Sequence, residues 1–285
     1  MATEKKINKS RKEGTKAASF SAKYGPWALI TGASRGIGAE FARQLAGRGL
    51  NIILIATNAD LLQAQADSIK NDCGVEVKTI VLDLSREDIL QEITPVTDSL
   101  EIGLLVNNAS LSKVAPFLNL TLDQLVKQLH VNVRAGLILA HHFGRRMVER
   151  RHGGIIFRSS GSAMSGTAYC ANYAGTKAYN LIIAESLWYE LGRYGVDVLG
   201  FAAGSTKTPG WEANAPKPGR FVKVMDVKPT VAEALKALGK RPSLIAGRSN
   251  RLGYFVMGKM MSRERAIRIV SGSMDKMFGP FGDLM

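Results

Sequence analysis

The sequence predicts a single α/β domain built on a doubly wound parallel sheet of about seven strands, with helices on both faces. Three observations predict it. Short apolar runs alternate with stretches of helical periodicity along the chain. A glycine-rich turn follows the first apolar run. The 285 residues, 46% of them hydrophobic, are enough for one large core.

The elements follow in order. Residues 27–31 (WALIT) read as the first strand. Ile37, Phe41 and Leu45 then recur on one helix face, and Gly47 and Gly49 stop that helix. Residues 51–57 (NIILIAT) form a buried strand, and Asn58 caps a helix whose stripe includes Leu61, Leu62 and Ile69. Residues 75–83 alternate and then turn apolar, giving a third strand; Ser85 with Asp88 resembles a capping box before a short helix. Residues 102–106 are the fourth strand. Thr121 with Gln124 is a full capping box, opening a long helix through Leu125, Leu129, Val133 and Leu137. Residues 154–159 are the fifth strand, a helix runs from about Cys170 to Tyr194, and residues 196–202 and 243–246 are the sixth and seventh strands. Strands separated by helices imply right-handed βαβ units, the Rossmann arrangement. The proline-bearing segment 207–240 falls over the carboxyl edge of such a sheet and reads as a substrate lid. Trp211, Phe221, Val222 and Met225 are its candidate lining, or simply its packing onto the body.

Composition narrows the function classes. The net charge of +14 sits mostly at the ends: residues 1–23 hold seven Lys/Arg against two acids, and residues 240–268 hold eight against one. The first segment reads as a solvated, flexible basic tail. It lacks the interleaved aromatics of a nucleic-acid platform, so no nucleic-acid partner is expected. Cys73 and Cys170 make neither a zinc pattern nor a disulfide framework, and His130, His141, His142 and His152 make no ligand set, so no metal is expected. No apolar run is long enough to span a bilayer and the N-terminus has no secretory apolar core; the expected location is the cytoplasm.

The turn Thr31-Gly32-Ala33-Ser34-Arg35-Gly36-Ile37-Gly38 joins the first strand to the first helix. Its glycines allow close approach of a pyrophosphate, and the helix N-terminus offers free N–H groups. An NAD site usually has an acid after the second strand; here Thr57-Asn58 stand there instead. Arg35, whose planar fork suits a 2′-phosphate, is either its ligand or a solvated surface residue. The expected cofactor is NADP(H). Tyr173 and Lys177, four apart, share a helix face. A nearby ammonium favours a phenolate and brings a phenol toward useful proton transfer. The pair alone is weak, since such spacing arises by chance.

Together TGASRGIG (31–38), NNA (107–109), Asn132, Ser160 and YAGTK (173–177) resemble the short-chain dehydrogenase/reductase family in order and spacing, over about Tyr24 to Arg251. The resemblance implies Tyr173 as general acid and base, Lys177 holding the nicotinamide ribose, Ser160 bonding the substrate oxygen, and Asn132 holding a water that links Lys177 to solvent. It implies Asp83 and Leu84 beside the adenine, Asn108 and Ala109 on the adenosine ribose side, and Gly204, Thr206 and Thr208 by the nicotinamide and phosphates. Three residues depart from the pattern: Ser110 for Gly, Ala203 for Pro, and Arg158 at a strand position usually apolar. A charge there needs a partner or solvent. Segments 23–34, 45–56, 74–83, 100–108, 204–211 and 242–251 resemble bacterial hydroxysteroid dehydrogenases, especially the NADP-dependent 7-beta type. The first four of them also resemble eukaryotic 17-beta-hydroxysteroid and long-chain 3-oxoacyl-CoA reductases. The implied reaction interconverts a ketone and a secondary alcohol on a bulky lipophilic substrate, a steroid or bile acid first, a long-chain or polyketide-like 3-oxoacyl group second. A non-catalytic NADP-binding sensor is the alternative of another class. The expected organisation is a tail (1–23), a catalytic domain (24–250) with the lid, and an extension (251–285). That extension mixes apolar and basic residues and meets a second subunit of a homodimer or homotetramer, or a membrane surface.

Overall fold

The computed structural model describes residues 20–214, 216–217 and 224–279. Its centre is one sheet of seven strands: β1 (Trp27–Thr31), β2 (Asn51–Ala56), β3 (Val77–Val81), β4 (Ile102–Asn107), β5 (Gly153–Ser160), β6 (Val196–Ala203) and β7 (Ser243–Ile245). Their order is β3-β2-β1-β4-β5-β6-β7 and every pair is parallel. The order reverses between β1 and β4, where a crevice opens at the carboxyl ends of the strands.

The longer helices are α1 (Gly36–Ala46), α2 (Ala59–Cys73), α3 (Ile89–Thr97), α4 (Leu122–Leu129), α5 (Ala135–Arg150), α6 (Ala171–Gly192), α7 (Val227–Ala237), α8 (Arg248–Lys259) and α9 (Arg263–Phe278). Alternate strand residues serve two cores. Ile30, Ile52, Leu104, Ile156 and Phe201 meet α1, α2 and α7; Leu29, Ile53, Leu105, Ile155 and Phe157 meet α3, α5 and α6. Burial on both faces explains why β1 and β4 are continuous apolar runs. Asn58 caps α2 through the Leu61 N–H, and the Thr121–Gln124 capping box forms as the sequence predicts.

Four expectations change. The long fourth helix is interrupted by a π-helical turn, His130–Arg134, between α4 and α5. Leu129 before the turn and Leu137 after it face outward, while Val131, Asn132, Ala135 and Leu139 are buried; the extra residue shifts the phase of the second half relative to the first. Ser85 caps nothing: its N–H and hydroxyl bond Asp83, and α3 starts only at Ile89. The segment 227–240 is no lid, because α7 buries Val231, Ala234 and Leu235 against the sheet. Pro229 lies in its first turn, where a missing N–H costs nothing. Phe221 and Val222 lie outside the described residues. Finally, residues before Tyr24 join the body: the Phe20 and Tyr24 rings meet tilted at 4.6 Å, and Lys23 pairs with Asp197 at 2.5 Å. Residues 1–19 of the basic tail and 280–285 of the C-terminal segment lie outside the described residues.

Phe41 of α1 is fully buried and meets the Phe201 ring edge-on at 5.9 Å. Phe41→Ala is expected to cost about 3–5 kcal/mol of stability, read as a lowered midpoint in a denaturant titration; a loss below about 1 kcal/mol contradicts the packing described.

Candidate active site

A cleft of about 940 Å³ opens at the strand-order reversal. The predicted residues Gly32, Ser34, Arg35, Gly36, Ile37, Thr57, Asp83, Leu84, Asn108, Ala109, Ser160, Tyr173, Gly204, Thr206 and Thr208 line it. Gly38, Asn132 and Lys177 do not; they stand behind its wall.

The turn at one end is built for close approach. Gly32 and Gly36 have positive φ (63° and 60°), which favours glycine. A Cβ on Gly38 would strike the Gly32 carbonyl and the Asn108 amide. Arg35 at the N-cap makes no side-chain cap bond and no acid stands in the first turn of α1. The first amides of α1 are therefore left to an outside acceptor, and a phosphate fits. Arg35 is exposed at the rim and Thr57 adds no charge. Asp83 is engaged by Lys127 at 2.7 Å, and this bond with those from Ser85 holds its carboxyl below the usual range against a raising effect of burial.

Asn108 does more than flank a ligand. Its Nδ2 donates to the carbonyls of Thr31 (2.9 Å) and Gly32 (3.1 Å), while the N–H groups of Asn108 and Ala109 both donate to Thr31 Oγ1 at 2.9 Å. The ends of β1 and β4 are locked together there.

Ser160 ends β5 and Tyr173 stands in the first turn of α6, so both reach the cleft wall. Lys177, one turn on, is fully buried; its Nζ lies 5.5 Å from the Tyr173 ring centroid and donates to the Arg158 carbonyl at 3.1 Å. Burial first, and the Arg158 charge second, push its pKa well down. Asn132 sits in the π-helical turn. Its Oδ1 accepts from Leu111 N–H (2.7 Å), and its Nδ2 donates to the Leu111 carbonyl and to Thr176 Oγ1 (both 3.0 Å). Its main-chain carbonyl accepts from Asn180 Nδ2 at 3.0 Å.

Asn180 is a residue the sequence reading missed. Its Nδ2 also reaches the Arg158 carbonyl at 3.3 Å, so it connects Asn132 to the group that holds Lys177. Its spacing, three after Lys177 and seven after Tyr173, was the available signal. Beside it a cavity of about 10 Å³, the size of one water, is lined by Asn107, Asn132 and Asn180. The Oδ1 atoms of Asn107 and Asn180 are buried without a protein partner.

Part of the cleft wall is apolar. Trp211, Val270, Met274, Met277 and Phe278 line it. Four of the five belong to α9, which the sequence reading gave to a second subunit or a membrane surface. Its inner face instead closes this chain's own cleft. Val270, Met274 and Met277 follow a spacing of four and three, a helical stripe legible in the sequence. Tyr169 Oη donates to Asp275 at 2.5 Å, Ala168 N–H donates to Ser271 Oγ at 3.2 Å, and the Trp211 and Phe278 rings meet at 6.2 Å. Among the described residues no helix is long and apolar enough to cross a membrane, and no group of three His, Cys, Asp or Glu is placed to hold a metal.

A seven-stranded parallel sheet with a glycine turn at the strand reversal and a Ser–Tyr–Lys set at its edge defines a dinucleotide-dependent oxidoreductase class. The model of the short chain dehydrogenase family matches residues 26–218, and the chain belongs to that family. A 7beta-hydroxysteroid dehydrogenase of Clostridium sardiniense is 32% identical over 233 residues, 81% of this chain and 89% of that protein. A structure solved for work on 7beta-hydroxysteroid dehydrogenase stereoselectivity superposes with a TM-score of 0.83 at 27% identity, covering 88% of this chain and 98% of that one. A short-chain dehydrogenase from Sphingobium yanoikuyae, solved with NADPH, superposes with a TM-score of 0.70 at 29% identity, over 82% of this chain and 95% of that one.

Lys177 supplies a test in which stability and chemistry separate. Its folded pKa is depressed, so the native state resists binding the proton that the unfolded chain takes up below about pH 10.4. The cost of the buried ammonium is therefore absent at high pH and grows as pH falls through that value. Lys177→Met is expected to raise the melting temperature by a few degrees at pH 7, and by less at pH 10, while turnover is lost. A melting temperature lower than wild type at pH 7 would contradict the electrostatics described.

Proposed function

We propose that this chain is an NADP(H)-dependent dehydrogenase/reductase that interconverts a ketone and a secondary alcohol on a bulky lipophilic substrate, with a steroid or bile-acid skeleton as first choice. The carrying observation is the cleft itself: Ser160 and Tyr173 line it together with a glycine turn fit for a phosphate and an apolar set of Trp211, Met274, Met277 and Phe278. The 7beta-hydroxysteroid dehydrogenase likeness supports the substrate class, and the NADPH complex of the Sphingobium relative supports the cofactor. Methionine adapts its shape, which suits a large rigid apolar ligand.

NADP(H), when bound, supplies or takes up the hydride. Gly32, Ser34, Gly36 and Ile37 hold its phosphates on the free amides of α1, and Arg35 at the rim takes the 2′-phosphate. Thr57, Asp83 and Leu84 border the adenine, Asn108 and Ala109 the neighbouring ribose, and Gly204, Thr206 and Thr208 the nicotinamide end. Ser160 donates a hydrogen bond to the substrate oxygen. Tyr173 Oη gives that oxygen its proton during reduction and receives it during oxidation. The proton is replaced through Lys177 and water beside it; Asn180 and Asn132 position that path, because Asn180 Nδ2 donates both to the Asn132 carbonyl and to the Arg158 carbonyl on which Lys177 Nζ rests.

The test is NADPH oxidation by the purified chain against a ketone panel: 7-oxo steroid acids, other steroid ketones, long-chain 3-oxoacyl thioesters and small ketones. Bulky ketones are expected to be reduced, and Tyr173→Phe is expected to lose at least about 1000-fold in kcat while binding NADPH as wild type does. Turnover retained in Tyr173→Phe refutes the mechanism; tight NADPH binding with no turnover on any ketone favours a sensor.

We further propose a homo-oligomer formed on the outer faces of α4–α6. Leu122, Leu129 and Leu137 on α4 and α5, and Ile182 and Tyr189 on α6, are exposed apolar residues on neighbouring helices. Light scattering is expected to show a dimer or tetramer, and Leu137→Glu is expected to shift it to smaller species. A wild-type monomer refutes the proposal.

A further inference from the structure

Arg158 is the charged residue of β5, a strand flanked on both sides by β4 and β6. Its register partner is Phe201, and Ile156 precedes it by two residues; both belong to the core beneath α1 and α7. The two-residue period of a strand therefore aims Arg158 to that same side, where the next apolar residue of the core would stand. It is half-buried and lines the cleft.

Its partners do not neutralise it. Nη1 donates to the Asn108 carbonyl at 3.3 Å, and Nε is buried with no partner. Among the described residues no carboxylate pairs with it. Lys177 lies nearby, fully buried, with its Nζ on the Arg158 carbonyl, and brings no negative charge to it. A guanidinium without an anion costs stability in this setting unless a ligand brings the missing charge.

The place of the guanidinium says which charge that is. The Asn108 carbonyl accepts from Arg158, and the Asn108 side chain donates to the Gly32 carbonyl at 3.1 Å. One residue thus separates the guanidinium from the phosphate turn. The apolar wall of Met274 and Met277 carries no group that ties to it. The planar fork of Arg suits two phosphate oxygens at once.

We propose that Arg158 is a cofactor-binding residue whose guanidinium takes the pyrophosphate of NADP(H) as its counter-anion, in concert with the amides of the first turn of α1. This rests on the cofactor reading above. It makes the site's phosphate grip depend on a strand side chain as well as on a helix end. It also explains why a charge is retained where β5 would otherwise be apolar: the residue is paired only in the loaded protein.

The test is equilibrium binding without turnover, by calorimetry on the full chain. The probes are NADPH, which carries the pyrophosphate, and adenosine 2′-monophosphate, which does not. Arg158→Met is expected to weaken NADPH by about tenfold or more while leaving adenosine 2′-monophosphate unchanged. Arg35→Leu is expected to weaken both probes. Arg158→Lys, which keeps the charge but loses the fork, is expected to fall between wild type and Arg158→Met. The melting temperature of ligand-free Arg158→Met is expected to equal or exceed that of wild type, since an unpaired charge is removed.

Equal NADPH affinity in wild type and Arg158→Met overturns the proposal, and so does equal weakening of both probes. An intact NADPH affinity with a raised KM for a steroid carboxylate also overturns it, by giving the guanidinium to the substrate. Should Arg158→Met not fold, an NADPH affinity of Arg158→Lys equal to wild type overturns the forked contact. Failure of wild type to bind NADPH at all is a separate result, which refutes the proposed cofactor.

Discussion

The site hangs on one small set of hydrogen bonds, the clamp between Thr31 and Asn108. Beyond the carboxyl ends of β1 and β4 the strand order reverses, and the ladder between the strands does not reach the loops there. Thr31 Oγ1 receives the N–H groups of Asn108 and Ala109, and Asn108 Nδ2 reaches the Thr31 and Gly32 carbonyls. Four bonds in a buried setting fix the glycine turn relative to the next strand. The glycines then set how near a ligand approaches, because the space a Cβ would need at Gly38 is already taken by these same groups. Arg158 rests on the same Asn108. Floor, turn and wall therefore share one reference point.

Much of this was legible in the sequence. Strands buried on both faces announce themselves as apolar runs, so all seven strands appeared within a few residues of their true bounds. The glycine turn, Ser160 and Tyr173 were legible because their spacing is set by strand and helix ends, which place them at one edge of the sheet. What was not legible has physical causes. A straight 3.6-residue count cannot foresee a π-helical turn, so it carries one stripe through to Leu137, which faces out. Prolines near 229 looked like a loop, although the first turn of a helix tolerates them. The destination of α9 was hidden because its Met stripe fits any apolar surface; only the fold decides that the surface is this chain's own cleft. Asn180 was hidden because a buried amide serves a network whose members are far apart in sequence.

The buried charges show a trade between stability and readiness. A lysine with no exposure and an arginine with an orphaned Nε are poor choices for a stable core. Apolar replacements of similar volume often fold as well or better. Their place by the cleft points to function, and main-chain carbonyls offset part of the desolvation: Lys177 Nζ donates to that of Arg158 and Arg158 Nη1 to that of Asn108. The fold tolerates the expense because both layers of core around the sheet are continuous.

The placement of α9 has a consequence for how such a chain diversifies. The phosphate turn and the Ser–Tyr pair stand on strands and on helices that pack the sheet, where a changed side chain disturbs ladders and cores. The apolar wall stands on a late helix that touches the body mostly through side-chain contacts such as Tyr169 with Asp275. Met274 and Val270 carry no ladder hydrogen bonds and belong to neither core. On the proposed reading, their replacement would reshape what fits in the cleft without disturbing strand ladders or either core. Chemistry and taste are thus encoded in separable stretches of the gene, and drift in the second need not wait on the first.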